Sequence, residues 1–299
     1  MPQPRLTDAT ALAAHRTRAM PRIADARFLH DEAMAELQER LEDINRTFTR
    51  TLIVTDFPKI WCDFLPDAQI VPMTETLDLE VGAYDLVVHA MGLHWADDPV
   101  GQVVQCARAL QPDGLFLSAA FGGSTLTELR QALAQAETQV MGGLSPRVAP
   151  MAEVRDMGAL LQRAGLALPV ADTLRKTVTY SDAIALMKDL RAMGETNALA
   201  GRHKAIAPRA FFPTAAAIYA NSFPAEENRI QASFEFVFLT GWAPHDSQQQ
   251  PLRPGAATSR LATALNVTEH SASAPLGATF DEGTNPVHDL PKDGSSNQK

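Results

Sequence analysis

Residues 83–123, AYDLVVHAMGLHWADDPVGQVVQCARALQPDGLFLSAAFGG, leave the chain little freedom in its choice of fold. Tyr84 to Ala90 is an apolar run rich in Val and Leu, the pattern of a strand buried on both faces. Asp98-Pro99 supplies an N-cap followed by proline at the first helical position. Val100, Val103, Val104 and Ala107 share one helical face, which predicts an amphipathic helix packed on a sheet. Gln111-Pro112-Asp113-Gly114 then brings turn chemistry, and Leu115 to Phe121 reads as a second apolar strand. Strand, helix, turn and strand at this spacing make one βαβ unit of a parallel sheet.

The flanking sequence extends that unit. Met34, Leu37, Leu41, Ile44 and Phe48 recur every three or four residues, predicting a helix between Asp31 and Phe48. Residues 1 to about 14 lack such a pattern and are expected to be loose, within an N-terminal segment 1–30. Leu52 to Val54 and Ala68 to Val71 read as the first two strands, and the order predicts a doubly wound sheet with ligands at its carboxyl end. Thr125-Leu126-Thr127-Glu128 has the form of a capping box, with Leu126, Leu129, Leu133 and Ala136 continuing it as a helix. Val154, Met157, Leu161 and Ala164 mark another helix, and a strand is expected within Leu166 to Tyr180. Helices are predicted over Ala183 to Met193 and Pro213 to Ala220. Ile230 to Leu239 alternates, with Phe234, Phe236 and Phe238 on one side of a late strand. The helical stretch 181–225 thus falls between two strands, where it can serve as a lid. One domain is expected over 31–267, with a disordered tail over 268–299, where Ser, Gly, Asn and Pro accumulate.

DLVVHAMGLHWADDP followed by RALQPDGLFLSAAFGG resembles the fourth to fifth strands of class I S-adenosylmethionine (SAM) dependent methyltransferases. GGSTLTELRQALAQAE, GGLSPRVAPMAEVRDMGALLQRAGLALPVAD, LMKDLRAMGETNAL and FLTGWAPHDSQQQPLRPG are similar to the methyltransferase-like family of respiratory complex I assembly. Mitochondrial members of that family hydroxylate an arginine on a complex I subunit. The malonyl-carrier-protein methyltransferase of biotin synthesis is a more distant likeness. The resemblance spans roughly Arg16 to Val267. It implies a Rossmann-like, mostly parallel seven-strand sheet with helices on both faces and an inserted helical lid. It also implies SAM as cofactor, and a protein substrate such as a complex I subunit as partner. The chemistry implied is methyl transfer or arginine hydroxylation.

A SAM site of this class normally follows the first strand with an acidic residue and a glycine-rich loop, because the backbone there must take positive φ and approach the ligand. Here the stretch Leu52 to Trp61 contains no glycine. In register, Ile53 stands for the acidic residue and Thr55, Phe57 and Lys59 for glycines, where left-handed backbone costs about 1–2 kcal/mol per residue. Pro58 further fixes φ negative. Two outcomes are open. In one, a rebuilt loop of Thr55, Asp56 and Phe57 binds the cofactor, with Asp56 taking the acidic role. In the other, Phe57 and Trp61 fill the pocket and the chain is a non-catalytic scaffold.

Met73 stands near the usual place of a second acidic residue, with Glu75 close by, and Met91, Gly92 and Trp95 complete the candidate cofactor set. His94 is the candidate catalytic group, a base or hydrogen-bond donor, and Trp95 can stack on an adenine or a substrate side chain. Both can equally be structural plugs at the top of the sheet, as His89 is expected to be within it. His94 and Asp97 have the residue types of an iron site, but at a spacing one longer than usual, so no metal is expected. Arg147 is the candidate for a substrate carboxylate. Trp242 and His245, in GWAPHDSQQ, are candidates for holding a protein substrate or closing the pocket, and the loop can equally be a cover for the sheet edge.

Composition excludes several classes. A net charge of −9 over 299 residues gives no basic field for nucleic acid or an anionic membrane surface. Cys62 and Cys106 are far apart, which argues against a disulfide framework or zinc site. No apolar run approaches the ~20 residues that span a bilayer, and the first twenty residues lack a signal-peptide pattern. No nucleic-acid partner, no membrane insertion and a cytoplasmic location are the expectations.

Overall fold

A computed structural model describes residues 5–249; the expected domain end at 267 and the tail over 268–299 lie outside the described residues. The first of two compact units, Met1–Gln248, holds every α-helix and strand among them. In chain order these are α1 (Ala9–Ala19), α2 (Phe28–Asp43), β1 (Thr51–Val54), α3 (Pro58–Trp61), β2 (Gln69–Val71) and β3 (Tyr84–Ala90). There follow α4 (Pro99–Ala109), β4 (Leu110–Phe121), α5 (Thr127–Met141), α6 (Val154–Arg163) and β5 (Ala167–Tyr180). The chain continues through α7 (Ala183–Met193), α8 (Phe211–Ser222) and β6 (Ile230–Trp242).

The sheet has the order β2-β1-β3-β4-β6-β5, with the first four strands parallel and β6 antiparallel to both neighbours. This is the Rossmann-like arrangement expected, with six strands among the described residues in place of seven. The physical reason lies in the connection after β2. Residues 72–83 are too few for the two crossovers that a further parallel strand outside β2 would require.

Period-2 side-chain direction divides the core into two layers. Ile53, Val88, Leu117 and the Phe234, Phe236, Phe238 row meet α2, α5, α7 and α8 on one face. Leu52, Val54, Val87 and Phe116 meet α4 and α6 on the other. The opening βαβ unit forms as its residues dictate: Asp98 accepts from the Gly101 amide at 2.8 Å and caps α4. Its turn, however, is a bulge inside β4. Leu110 pairs with Tyr84 and Leu115 with Leu86, so the intervening residues loop out, with Asp113 at φ 62°.

Three other local expectations are corrected. Residues from Ala9 onward are helical, because Asp8 caps α1 by accepting from the Ala11 amide at 3.0 Å. The helix expected up to Phe48 stops at Asp43, with Ile44 extended at ψ 103°, although Ile44 and Phe48 still pack on the core. The capping box does not form. Thr125 Oγ1 instead accepts from the Glu235 amide at 3.0 Å, and the Glu128 carboxylate takes the Ser233 hydroxyl at 2.5 Å. Both side chains stitch α5 to β6.

Candidate functional site

The chain leaves β1 toward β2 on one side and returns through β3 on the other, so a crevice opens at the carboxyl ends of β1 and β3. The first βα bend contains no left-handed residue. Thr55 is buried; its amide donates to the Val71 carbonyl at 2.9 Å and its hydroxyl accepts from the Phe57 amide at 3.2 Å. Phe57 and Trp61 are fully buried beneath α2, the Phe57 ring 4.6 Å from His30 and Trp61 Nε1 donating to His30 Nδ1 at 3.2 Å. They fill the space under the bend.

Asp56 turns the other way. Its Oδ1 accepts from the Met73 amide at 2.9 Å, and its Oδ2 pairs with Arg16 from α1. Arg16 is buried with its guanidinium 5.3 Å from the Phe57 ring, and its Nε and Nη2 have no hydrogen-bond partner among the described residues. Arg16, Asp56, Met73, Glu75 and Trp95 line a cleft of 540 Å³. Of the candidate cofactor residues, the structure therefore brings Asp56, Glu75 and Trp95 to the cleft wall, Glu75 at an exposed edge where it meets Arg5 at 3.5 Å. Thr55, Phe57, Met91 and Gly92 lie beneath it. Met91 takes φ 50° as its amide donates to Ala119, and a Cβ at Gly92 would come within 2.6 Å of Met73 Sδ, so the floor is tightly built.

His94 and Trp95 converge on Glu195, which follows α7. Trp95 Nε1 donates to Glu195 Oε2 at 2.6 Å, and His94 Nε2 lies 3.3 Å from the same oxygen. Burial pushes the Glu195 carboxyl up, but His94, Arg16 and Trp95 together outweigh it and hold it down at about 2. Glu195 is therefore ionised. His89 is a buried structural histidine, its pKa pushed down to about 4 by burial, 3.4 Å from Gln102 Oε1.

Asp97 does not join His94. Its Oδ1 accepts from the Leu6 and Thr7 amides at 2.9 and 2.8 Å, anchoring the N-terminal segment over the cleft. Among the described residues no three His, Cys, Asp or Glu side chains are grouped to hold a metal ion.

Beyond Trp95 lies a second cavity of 210 Å³, walled by Phe121 at the end of β4, Leu129, Leu190, Phe211 and Glu195. Trp95 lines both spaces. Arg147 borders this cavity with its guanidinium already engaged: Nε and Nη2 donate to Glu137 Oε1 at 3.1 and 2.6 Å, and it lies 4.6 Å from the Phe211 ring. Burial acts to raise the Glu137 pKa, but Arg147 and Ser145 lower it overall. The carboxylate that Arg147 was expected to bind is thus the protein's own.

Trp242 and His245 do not reach the site. Trp242 pairs with Leu115, whereas Phe236 pairs with Phe121, so Trp242 sits at the opposite end of the sheet, its ring 5.8 Å from Arg46. His245 is exposed and bonds Ser247 Oγ at 2.7 Å. The residues that sequence reasoning missed are Arg16 and Glu195. Arg16 falls in a stretch without periodicity. Glu195 follows Gly194, whose φ of 81° ends α7, and no cap or period in the sequence marks it as a site residue.

The family described as "Methyltransferase domain" matches residues 58–118. The chain is 37% identical over 233 residues to "Arginine-hydroxylase NDUFAF5, mitochondrial" of Rattus norvegicus, covering 78% of this chain and 65% of that protein. To the protein of the same name in Danio rerio it is 35% identical over 224 residues, 74% of this chain and 67% of the relative. A "Malonyl-[acyl-carrier protein] O-methyltransferase" of Laribacter hongkongensis is 34% identical over 181 residues, 60% of this chain and 58% of the relative. The matched part spans from 45% to 67% of the lengths of the relatives named as arginine hydroxylases.

The cytoplasmic expectation is overturned by these relatives, which are named as mitochondrial. Charge and the look of the first twenty residues carry no information on compartment here. Among the described residues no helix is long and apolar enough to cross a membrane.

Proposed function

The chain belongs to the NDUFAF5 arginine-hydroxylase family of class I methyltransferase-like proteins, and on that premise we propose that it binds SAM in the cleft above Asp56 and acts on a side chain of a protein partner, a respiratory complex I subunit. The observation that carries this reading is Trp95, a single indole standing between a polar cleft and an apolar cavity. Such a wall lets a cofactor and a substrate approach the same point from opposite sides.

The residues present fit SAM. Arg16 lines the cleft, and two of its nitrogens are buried without a hydrogen-bond partner among the described residues, a demand that a ligand carboxylate brought to that wall can meet. Asp56 holds Arg16 in place, Trp95 supplies an aromatic face, and the cleft can contain a ligand of nucleoside size. When bound, SAM supplies an electrophilic methyl group. Glu195, held ionised, fixes the Trp95 indole by accepting its N–H, while His94 braces the same oxygen. Phe211 and Leu190 from the lid helices keep water from the apolar side.

A second reading, a scaffold that binds the partner without modifying it, is favoured by one specific feature: the glycine-free bend with Phe57 and Trp61 packed beneath it. Titration calorimetry separates the two. SAM should bind the wild-type chain, and Arg16→Met should weaken it at least tenfold; no heat at millimolar SAM removes the cofactor reading. Mass spectrometry of a captured complex I subunit then reports the chemistry. An added methyl group supports transfer, an added oxygen on arginine supports hydroxylation, and a stable complex with unmodified partner supports the scaffold.

A further inference from the structure

Three arginines gather where α1 and α7 end. Arg18 on α1, Arg22 just beyond it and Arg191 in the last turn of α7 line a hollow of 380 Å³, together with His15 and Thr196. Among the described residues none of the three forms an ion pair with a carboxylate. Arg18 gives its Nε to the Ala14 carbonyl at 3.1 Å. Helix C-termini favour cations, which accounts for Arg18 and Arg191, but Arg22 lies past α1 in the 3₁₀ segment Met20–Ala26. His15 adds no charge of its own. Its Nδ1 donates to the Thr196 carbonyl at 3.2 Å, and burial, with Arg18 and Arg202 behind it, lowers its pKa against that bond and Asp8. Asp8 is itself held by Arg202 at 2.9 Å. Gathered guanidinium groups repel one another, and this cluster stands on a chain with 26 basic against 35 acidic side chains. An anion relieves the repulsion, and the planar fork of a guanidinium matches a carboxylate.

The hollow adjoins the apolar cavity. Arg191 and Thr196 line both spaces, and the hollow is the larger at 380 Å³ against 210 Å³. A peptide that lays one side chain in the cavity therefore carries its neighbouring residues past Arg191. That continuity favours an extended chain over a free anion as the occupant. We propose that the hollow binds an acidic segment of the protein partner, whose Asp or Glu side chains, next to the residue entering the cavity, meet Arg18, Arg22 and Arg191. The assignment deepens the reading of the apolar cavity as the substrate side of Trp95 and rests on it.

Capped triaspartate and triasparagine peptides, equal in shape and different in charge, test the hollow, with binding followed by NMR through the Ala192 and Thr196 backbone amides. At low salt the wild-type chain should bind triaspartate roughly tenfold or more tightly than triasparagine. Arg22 and Arg191 are both exposed, so the double variant Arg22→Gln/Arg191→Gln should fold and bring the two peptides within about twofold of each other. Arg155→Gln, an exposed position of α6 outside the hollow, should leave the preference intact. Equal binding of both peptides by the wild-type chain overturns the proposal, as does undiminished preference in the double variant or an equal loss in Arg155→Gln. Inorganic phosphate that binds as tightly as triaspartate also overturns it, since the hollow is then a site for a free anion. SAM titration of the same sample reads the cofactor cleft separately. SAM binding without an aspartate preference refutes the acidic-segment assignment alone, and the preference without SAM binding refutes the cofactor reading alone.

Discussion

Arg16 shows how one side chain can serve both stability and a ligand. It pairs with Asp56, lies against Phe57 and lines the cleft, with two buried nitrogens left without a hydrogen-bond partner among the described residues. Removing one partner of a fully buried pair costs about 3–5 kcal/mol. Asp56 is 22% exposed and keeps the Met73 amide, so Arg16→Met should cost less, about 1–3 kcal/mol, measurable by urea denaturation. A neutral result would mean that the pair is not formed in solution. The buried histidines predict a pH dependence. Burial lowers both His30 and His89 to about 4, against 6.5 in the unfolded chain. Between those values the unfolded chain binds protons that the folded chain does not. Stability is therefore full above pH 6.5 and falls toward pH 4, by up to ~1.4 kcal/mol per pH unit for each histidine. The window of Glu195 lies lower, between 4.5 and about 2. His30→Asn, whose amide oxygen can replace Nδ1 as acceptor for Trp61, should reduce the slope of urea midpoint against pH between 6.5 and 4.5, with His89 and His15, both also lowered by burial, carrying what remains. An unchanged slope would show that His30 is not the proton acceptor.

At the scale of elements, the first βα bend is built on packing and not on glycine. Phe57 is buried against His30, so Phe57→Ala should cost about 3–5 kcal/mol through the cavity it leaves. A glycine-loop role for this position would instead make the substitution nearly neutral in denaturant. The parallel unit from β3 to β4 was legible because its strands are buried on both faces and its helix carries cap and proline together. The phenylalanine row of β6 was legible through its period of two. Elements that depend on distant partners were not. Thr125 and Glu128 form a capping box by spacing alone, yet β6 offers them the Glu235 backbone and Ser233, and those partners win. The seventh strand was expected from resemblance, while the short 72–83 connection that excludes it was in plain view.

At the scale of the molecule, the site was half legible. Asp56, Glu75, His94 and Trp95 lie at strand ends, where chain order alone points to the crevice. Arg16, Glu195 and the segment before α1 arrive from far along the chain, and no local pattern announces them. That segment ties the two cavities together. Leu6 and Thr7 hang on Asp97, and Thr7 Oγ1 donates to the Trp95 carbonyl at 3.0 Å. On its other edge the Asp8 amide donates to Ala198 at 2.7 Å, the Ala200 amide to Leu6 at 2.8 Å, and Arg202 meets Asp8 at 2.9 Å. One strip thus covers the polar cleft while being zipped to the loop that carries Glu195. Asp97→Ala removes the acceptor of two amides, a loss of about 1–3 kcal/mol to the strip. Each 1.4 kcal/mol is tenfold in an opening equilibrium, so amide exchange in the strip should speed up roughly 10- to 100-fold. Because the strip is bonded on both edges, residues 196–202 should accelerate with residues 6–12, and SAM should dissociate faster in step with them. Acceleration confined to residues 6–8, with the Glu195 loop unchanged, would show that the two cavities open independently.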